Sequence, residues 1–245
     1  DSYPSPPASN ALVVLDERSG RPRYTFTLGK DAEVEAIAAD GPGEMIAWVE
    51  QVSARISRRP PTFRLRCIDL RTGAAQLDLQ VPLVEPETQK IGDLVFSPDR
   101  KTIAFGGSQG EAAVGVVDIE KGVVLWNTAV AMPRGGVWRL AFCPDSRSFY
   151  ATDDCGQLTR YETRTGRILW QTGVSVPALT PWDTQAMERL LAVDVSPDGA
   201  HVAVGTDYTC KVMVWEVSSG KLVGEIQVSK WPIETVLVFS HDGKG

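Results

Sequence analysis

Two histidines, four cysteines and one aspartate in an apolar run are the residues here whose types could do chemistry, and their spacing argues against most of it. His201 and His241 stand in unrelated positions, so a Ser-His-Asp triad or a histidine metal cluster has little support. Cys67, Cys143, Cys155 and Cys210 form no close pair, which leaves out a zinc knuckle or a CxxC redox motif. Scattered cysteines in a chain of this size fit a reducing compartment, and a cytoplasmic location is expected. Asp194 is different. It sits in the run Leu190-Leu191-Ala192-Val193-Asp194-Val195, where a carboxylate must be hydrogen-bonded or shifted in pKa. The expected partner is a neighbouring turn or strand; a polar or metal site is the alternative. No catalytic residue, metal or cofactor is expected.

The remaining candidates are binding residues. Arg55, Arg58 and Arg59 precede Pro60 and Pro61. Trp138 follows Met132, Pro133 and Arg134. Trp182 follows Pro177 and Pro181, and Trp231 precedes Pro232. Tryptophan and arginine are the commonest interface anchors. Guanidinium also grips carboxylate or phosphate with two parallel bonds, so a protein or peptide partner is expected, and an acidic segment suits the arginines. The net charge of -6 argues against general nucleic-acid binding, which needs a basic face. No apolar run reaches the roughly 20 residues of a membrane span, so no membrane partner is expected.

The elements that must position these residues come from an internal repeat. An apolar run followed by a Ser-Pro-Asp-like turn occurs at Leu94–Asp99, Leu140–Asp145, Val193–Asp198 and Leu237–Asp242, with a degenerate copy at Ile37–Pro42. Proline sets φ for a tight turn and aspartate accepts local backbone bonds. Leu94 and Phe96 alternate with Val95, a period of two that marks a strand. A second motif interleaves: an apolar residue, an acid and, four residues on, a glycine. It runs Asp16 to Gly20, Asp69 to Gly73, Asp118 to Gly122, Glu162 to Gly166 and Glu216 to Gly220, with glycine spacings of 53, 49, 44 and 54 residues. Glycine there supplies the positive φ of a hairpin turn. Together the motifs give four strands per unit, a to d. Strands a and b flank the Ser-Pro-Asp turn, and c and d flank the acid-to-glycine turn. Four-stranded units of this length are blades of a β-propeller.

At these residues the chain resembles the WD-repeat family and the quinoprotein-like propellers. Trp215-Glu216 stands where WD-repeats carry Trp-Asp, and Gly205-Thr206-Asp207 at their b–c turn. Gly156-Gln157-Leu158 through Thr165-Gly166 and Leu169-Trp170 is similar to the quinoprotein repeat. WD-repeats carry Gly-His before strand a, tied to the b–c Asp; here neither histidine lies there, so that network is not expected.

The expected fold is all-β: a propeller of four-stranded antiparallel blades at about 35–81, 91–128, 137–172 and 189–227. A flexible lead-in covers 1–10, and a split partial blade is contributed by 11–27 and 233–245, as in a fragment of a larger propeller. Such repeats imply a non-catalytic protein–protein scaffold. The alternatives are a quinoprotein-like or lactonase-like enzyme with a site in the central channel, near Asp194, and a sensor domain joined to a catalytic domain. His201 aligns with Thr102, Ser148 and Met45, an ordinary strand-b position. His241 stands where other copies have proline. Because strands alternate in direction, the b–c and d–a loops share one face, and the Arg55 and Trp182 segments are expected there.

Overall fold

A computed structural model of the chain describes residues 10–52, 61–82, 90–108, 113–129, 136–153, 155–174, 188–229 and 237–240. The first two strands, β1 (Ala11–Leu15) and β2 (Pro22–Thr27), form a two-stranded sheet. Four sheets of four strands follow. The first holds β3 (Ala32–Ala39), β4 (Met45–Val52), β5 (Thr62–Asp69) and β6 (Ala75–Val81). The second holds β7 (Lys90–Phe96), β8 (Thr102–Ser108), β9 (Ala113–Asp118) and β10 (Val123–Ala129). The third holds β11 (Val137–Phe142), β12 (Ser148–Asp153), β13 (Gln157–Glu162) and β14 (Ile168–Gly173). The fourth holds β15 (Leu190–Val195), β16 (His201–Thr206), β17 (Lys211–Glu216) and β18 (Leu222–Gln227). Chain neighbours pair antiparallel throughout. The described residues contain no helix.

The turns form for local reasons. At all five acid-to-glycine turns the glycine has φ between 62° and 74°. Its N–H donates to the carbonyl of the acid four residues back, at 2.8–3.0 Å. The acid side chain then caps the turn: Asp16 accepts from Ser19 N, Asp69 from Thr72 N and Asp118 from Lys121 N. At the other end of the strands, Ser97 Oγ accepts from Thr102 N at 3.0 Å and donates to Asp99 Oδ1 at 2.7 Å. Ser196, Asp198 and His201 N repeat this. His201 thus opens β16 as expected. The fourth residue of these turns has positive φ whatever its identity: Gly43, Arg100, Ser146 and Gly199 lie at 60–70°. The two non-glycines carry strain for a reason visible between sheets. Arg100 reaches back to Asp40 and Glu44, at 3.2 and 2.6 Å. Ser146 Oγ accepts from Asp99 N at 3.0 Å.

The sheets pack face to face in chain order, each junction with its own apolar core. Register fixes which residues meet. The row of the second sheet that faces the third is Val95, Ala104, Val116 and Trp126. Its counterpart in the third sheet is Ala141, Tyr150, Arg160 and Trp170. In the first sheet it is Ala38, Ala47, Cys67 and Leu77, and in the fourth Asp194, Ala203, Val214 and Gly224. The fourth member, at the outer rim, decides how the next sheet is fastened. Trp126 lies on Gly166, where a Cβ would come within 2.6 Å of the ring, and its Nε1 donates to Thr163 O at 2.8 Å. Trp170 lies on Gly220 and donates to Val217 O at 3.2 Å. Tyr24 of β2 does the same at Gly73, its hydroxyl donating to Leu70 O at 2.5 Å.

Candidate functional site

The first strand of each four-stranded sheet is an edge with one ladder partner. β3, β7, β11 and β15 stand beside one another in that order. At their turn ends they surround a cavity of about 560 Å³. Its walls are Ala38, Val95, Phe96, Ala141, Phe142 and Val193, and among the described residues the one charged side chain lining it is Asp194. Edge strands leave alternate backbone groups unpaired, and Asp194 answers that need. Its Oδ1 accepts from Val195 N at 2.9 Å, and its Oδ2 accepts from Phe239 N at 2.7 Å. Phe239 belongs to the last copy of the Ser-Pro-Asp repeat. The expected local bond is therefore present, and both carboxylate oxygens are engaged by backbone amides. Residues 237–240 carry no ladder pairing, whereas a strand was expected there.

A second carboxylate repeats the device one junction earlier. Asp93, on β7, lies two register positions before the Asp194 row and on the same face. Its Oδ2 accepts from Leu140 N of β11 at 2.7 Å. Burial pushes its pKa up to about 6, against the pull of the Leu140 amide and Arg139.

The other ends of the sheets carry a different arrangement. Glu188, fully buried just before β15, accepts from Tyr208 N at 2.6 Å and Thr209 N at 3.2 Å. Arg189 pairs with Asp207. The d–a connection is thus bound to the b–c turn of its own sheet, the link expected to be absent without histidine. Sequence reasoning passed over Glu188, although an acid directly before an inner strand was a readable signal. In the third sheet Asp153 Oδ1 caps the same turn, accepting from Cys155 N and Gln157 N at 2.8 Å.

Arg55, Arg58, Arg59, Trp182, Trp231 and His241 lie outside the described residues. Trp138, expected on a connection, is the second residue of β11 and so belongs to an inner strand; its side chain is outside the description. The four cysteines are free. Cys143 Sγ accepts from Ser148 Oγ at 3.2 Å, and burial raises its thiol pKa; burial pushes the Cys67 thiol up to about 12. Both are packing residues, since the thiolate is the reactive form. No group of three His, Cys, Asp or Glu side chains is placed to hold a metal among the described residues.

The family model of the outer membrane protein assembly factor BamB matches residues 111–206. Among solved structures, BamB from Moraxella catarrhalis superposes with a TM-score of 0.58 at 13% identity, over 84% of this chain and 56% of that one. The fold is that of a β-propeller built of four-stranded blades. The chain spans a little over half the length of that BamB structure. No curated protein matches the sequence. In propeller terms the cavity at Asp194 is one mouth of the central channel, and the Glu188 ties brace the opposite end of the strands.

Proposed function

We propose that the chain is a non-catalytic scaffold for protein partners, of the kind WD-repeat propellers form. The observation that carries this reading is the state of Asp194: the carboxylate that sequence singled out for a channel site has both oxygens bound to backbone amides. The channel mouth around it is walled by apolar side chains. Such a group serves as a strut, its two amide bonds fastening β15 to residues 237–240. The matching family model is that of an assembly factor, which supports protein partners. The Arg189–Asp207 pair and the Glu188 bonds tie connection to turn as a WD-repeat's own network does. They support a rigid platform beneath the loops. The four free cysteines support a reducing, cytoplasmic setting.

The partner surface in this reading is the loop end, with Arg55, Arg58, Arg59, Trp182 and Trp231 as anchors. Affinity capture with wild-type chain, an Arg58→Glu, Arg59→Glu, Trp182→Ala variant and Asp194→Asn tests it. The expected result is a partner lost with the loop variant and kept with Asp194→Asn. Retention with the loop variant and loss with Asp194→Asn would move the site to the channel.

A further inference from the structure

Asp93 has a setting that its counterparts lack. The aligned residues in the other sheets are Ala36, Arg139 and Ala192. Across its own sheet the row continues through Gly106 and Val114, so no cation stands beside the carboxylate on β8 or β9. The Gly106 side is sealed by the third sheet, for a Cβ there would lie 2.6 Å from Val137. From β11 come the Leu140 amide, which binds Oδ2 at 2.7 Å, and Arg139. Arg139 is exposed, so solvent screens its pull. On its own strand the nearest charged neighbour in sequence is Lys90, which acts on Glu35 of β3, the strand on the other side. Glu33 lies on β3 as well. Asp93 is thus a half-buried carboxylate between two sheets, held by a neutral amide and weakly by a screened cation.

We propose that the junction between the second and third sheets is a proton-responsive fastening, in which Asp93 takes up a proton as the surroundings turn mildly acidic and the propeller tightens. The bond to Leu140 survives protonation, because a neutral carboxyl keeps a carbonyl oxygen that accepts from an amide. What protonation removes is the cost of holding an ionised group in an apolar junction. The sign follows from linkage. The folded carboxyl keeps its proton up to about pH 6, whereas the unfolded one releases it near pH 4. Between those values the folded state binds more protons, so stability falls as pH rises through the window and is regained as pH falls through it. This is opposite to the behaviour of salt-bridged carboxylates.

Thermal unfolding of the full chain at pH 5.0 and 7.5 tests the proposal, with Asp93→Asn as a mimic of the protonated state and Glu35→Gln as a control, since burial also raises Glu35. The expected result is a midpoint raised by roughly 5 °C in Asp93→Asn at pH 7.5. Its gain should shrink at pH 5.0, and Glu35→Gln should leave most of the wild-type slope in place. Carbon-13 NMR of the wild-type carboxyls should show Asp93 titrating near pH 6, which decides the matter even where the variant folds poorly. A carboxyl titrating near pH 4, or an Asp93→Asn variant with the wild-type pH slope, overturns the proposal.

Discussion

The junction between the second and third sheets and that between the third and fourth are fastened alike at the rim and differently inside. Both use a tryptophan seated on a turn glycine, Trp126 on Gly166 and Trp170 on Gly220, each ring donating to a carbonyl of the next sheet. Inside, the second sheet presents Val116, and behind it Trp126, Phe142, Phe149 and Tyr161 pack with centroids 5.3–6.0 Å apart. The third sheet presents Arg160 at the same register. Its Nε and Nη2 donate to Ser148 Oγ at 3.1 and 3.0 Å, its Nη1 donates to Val217 O at 2.9 Å, and it lies 5.9 Å from the Tyr150 ring centre. The comparison teaches that the rim position is fixed by shape, because the ring fills the space a Cβ would take. The interior position is fixed only by volume and by satisfaction of polar groups.

Trp126→Ala breaks the shared element and should have the largest effect. It removes a large ring, leaves Thr163 O without its donor and costs about 3 kcal/mol. Denaturant unfolding would measure this, and a loss below about 1 kcal/mol would mean that the rim does not hold the sheets together. Arg160→Val makes the two interiors alike. It removes the bonds to Ser148 Oγ and Val217 O, with Ser148 Oγ keeping its bond to Cys143 Sγ, and leaves a void, so a loss of about 2 kcal/mol is expected in the same measurement. An unchanged midpoint would show that the guanidinium is replaceable by any side chain of fair volume. Gly224→Trp places a ring at the rim of the fourth sheet, where the facing neighbour within reach is Val214 of the same sheet. With no turn glycine beneath it among the described residues, a change under about 0.5 kcal/mol is expected. A gain above 1 kcal/mol would reveal a seat for the ring.

The strand pattern was legible because it is local. Each acid-to-glycine turn carries its own cap and its own positive φ, and the interleaved motifs sit in register along the chain. The rim fastening was half legible. Trp126, Trp170 and Tyr24 all fall four residues after a turn glycine, yet the glycine each covers lies in the next sheet, 40 to 50 residues onward. Asp194 was legible as an anomaly, being a carboxylate where Val95, Ala141 and Val238 stand. Asp93 was not, since nothing in its neighbours Gly92 and Leu94 shows that the Leu140 amide of the next sheet will reach it.

By itself the sequence determined the unit. Turn chemistry and the two-residue period act within a few residues and need no distant partner to be read. The tertiary structure decided which carboxylate is a strut, which tryptophan is a rim fastener, and why Arg100 and Ser146 hold a strained φ. Those roles depend on groups some 40 to 60 residues away. They come together when apolar faces are stacked out of water, and only then does a backbone amide or a guanidinium find its partner.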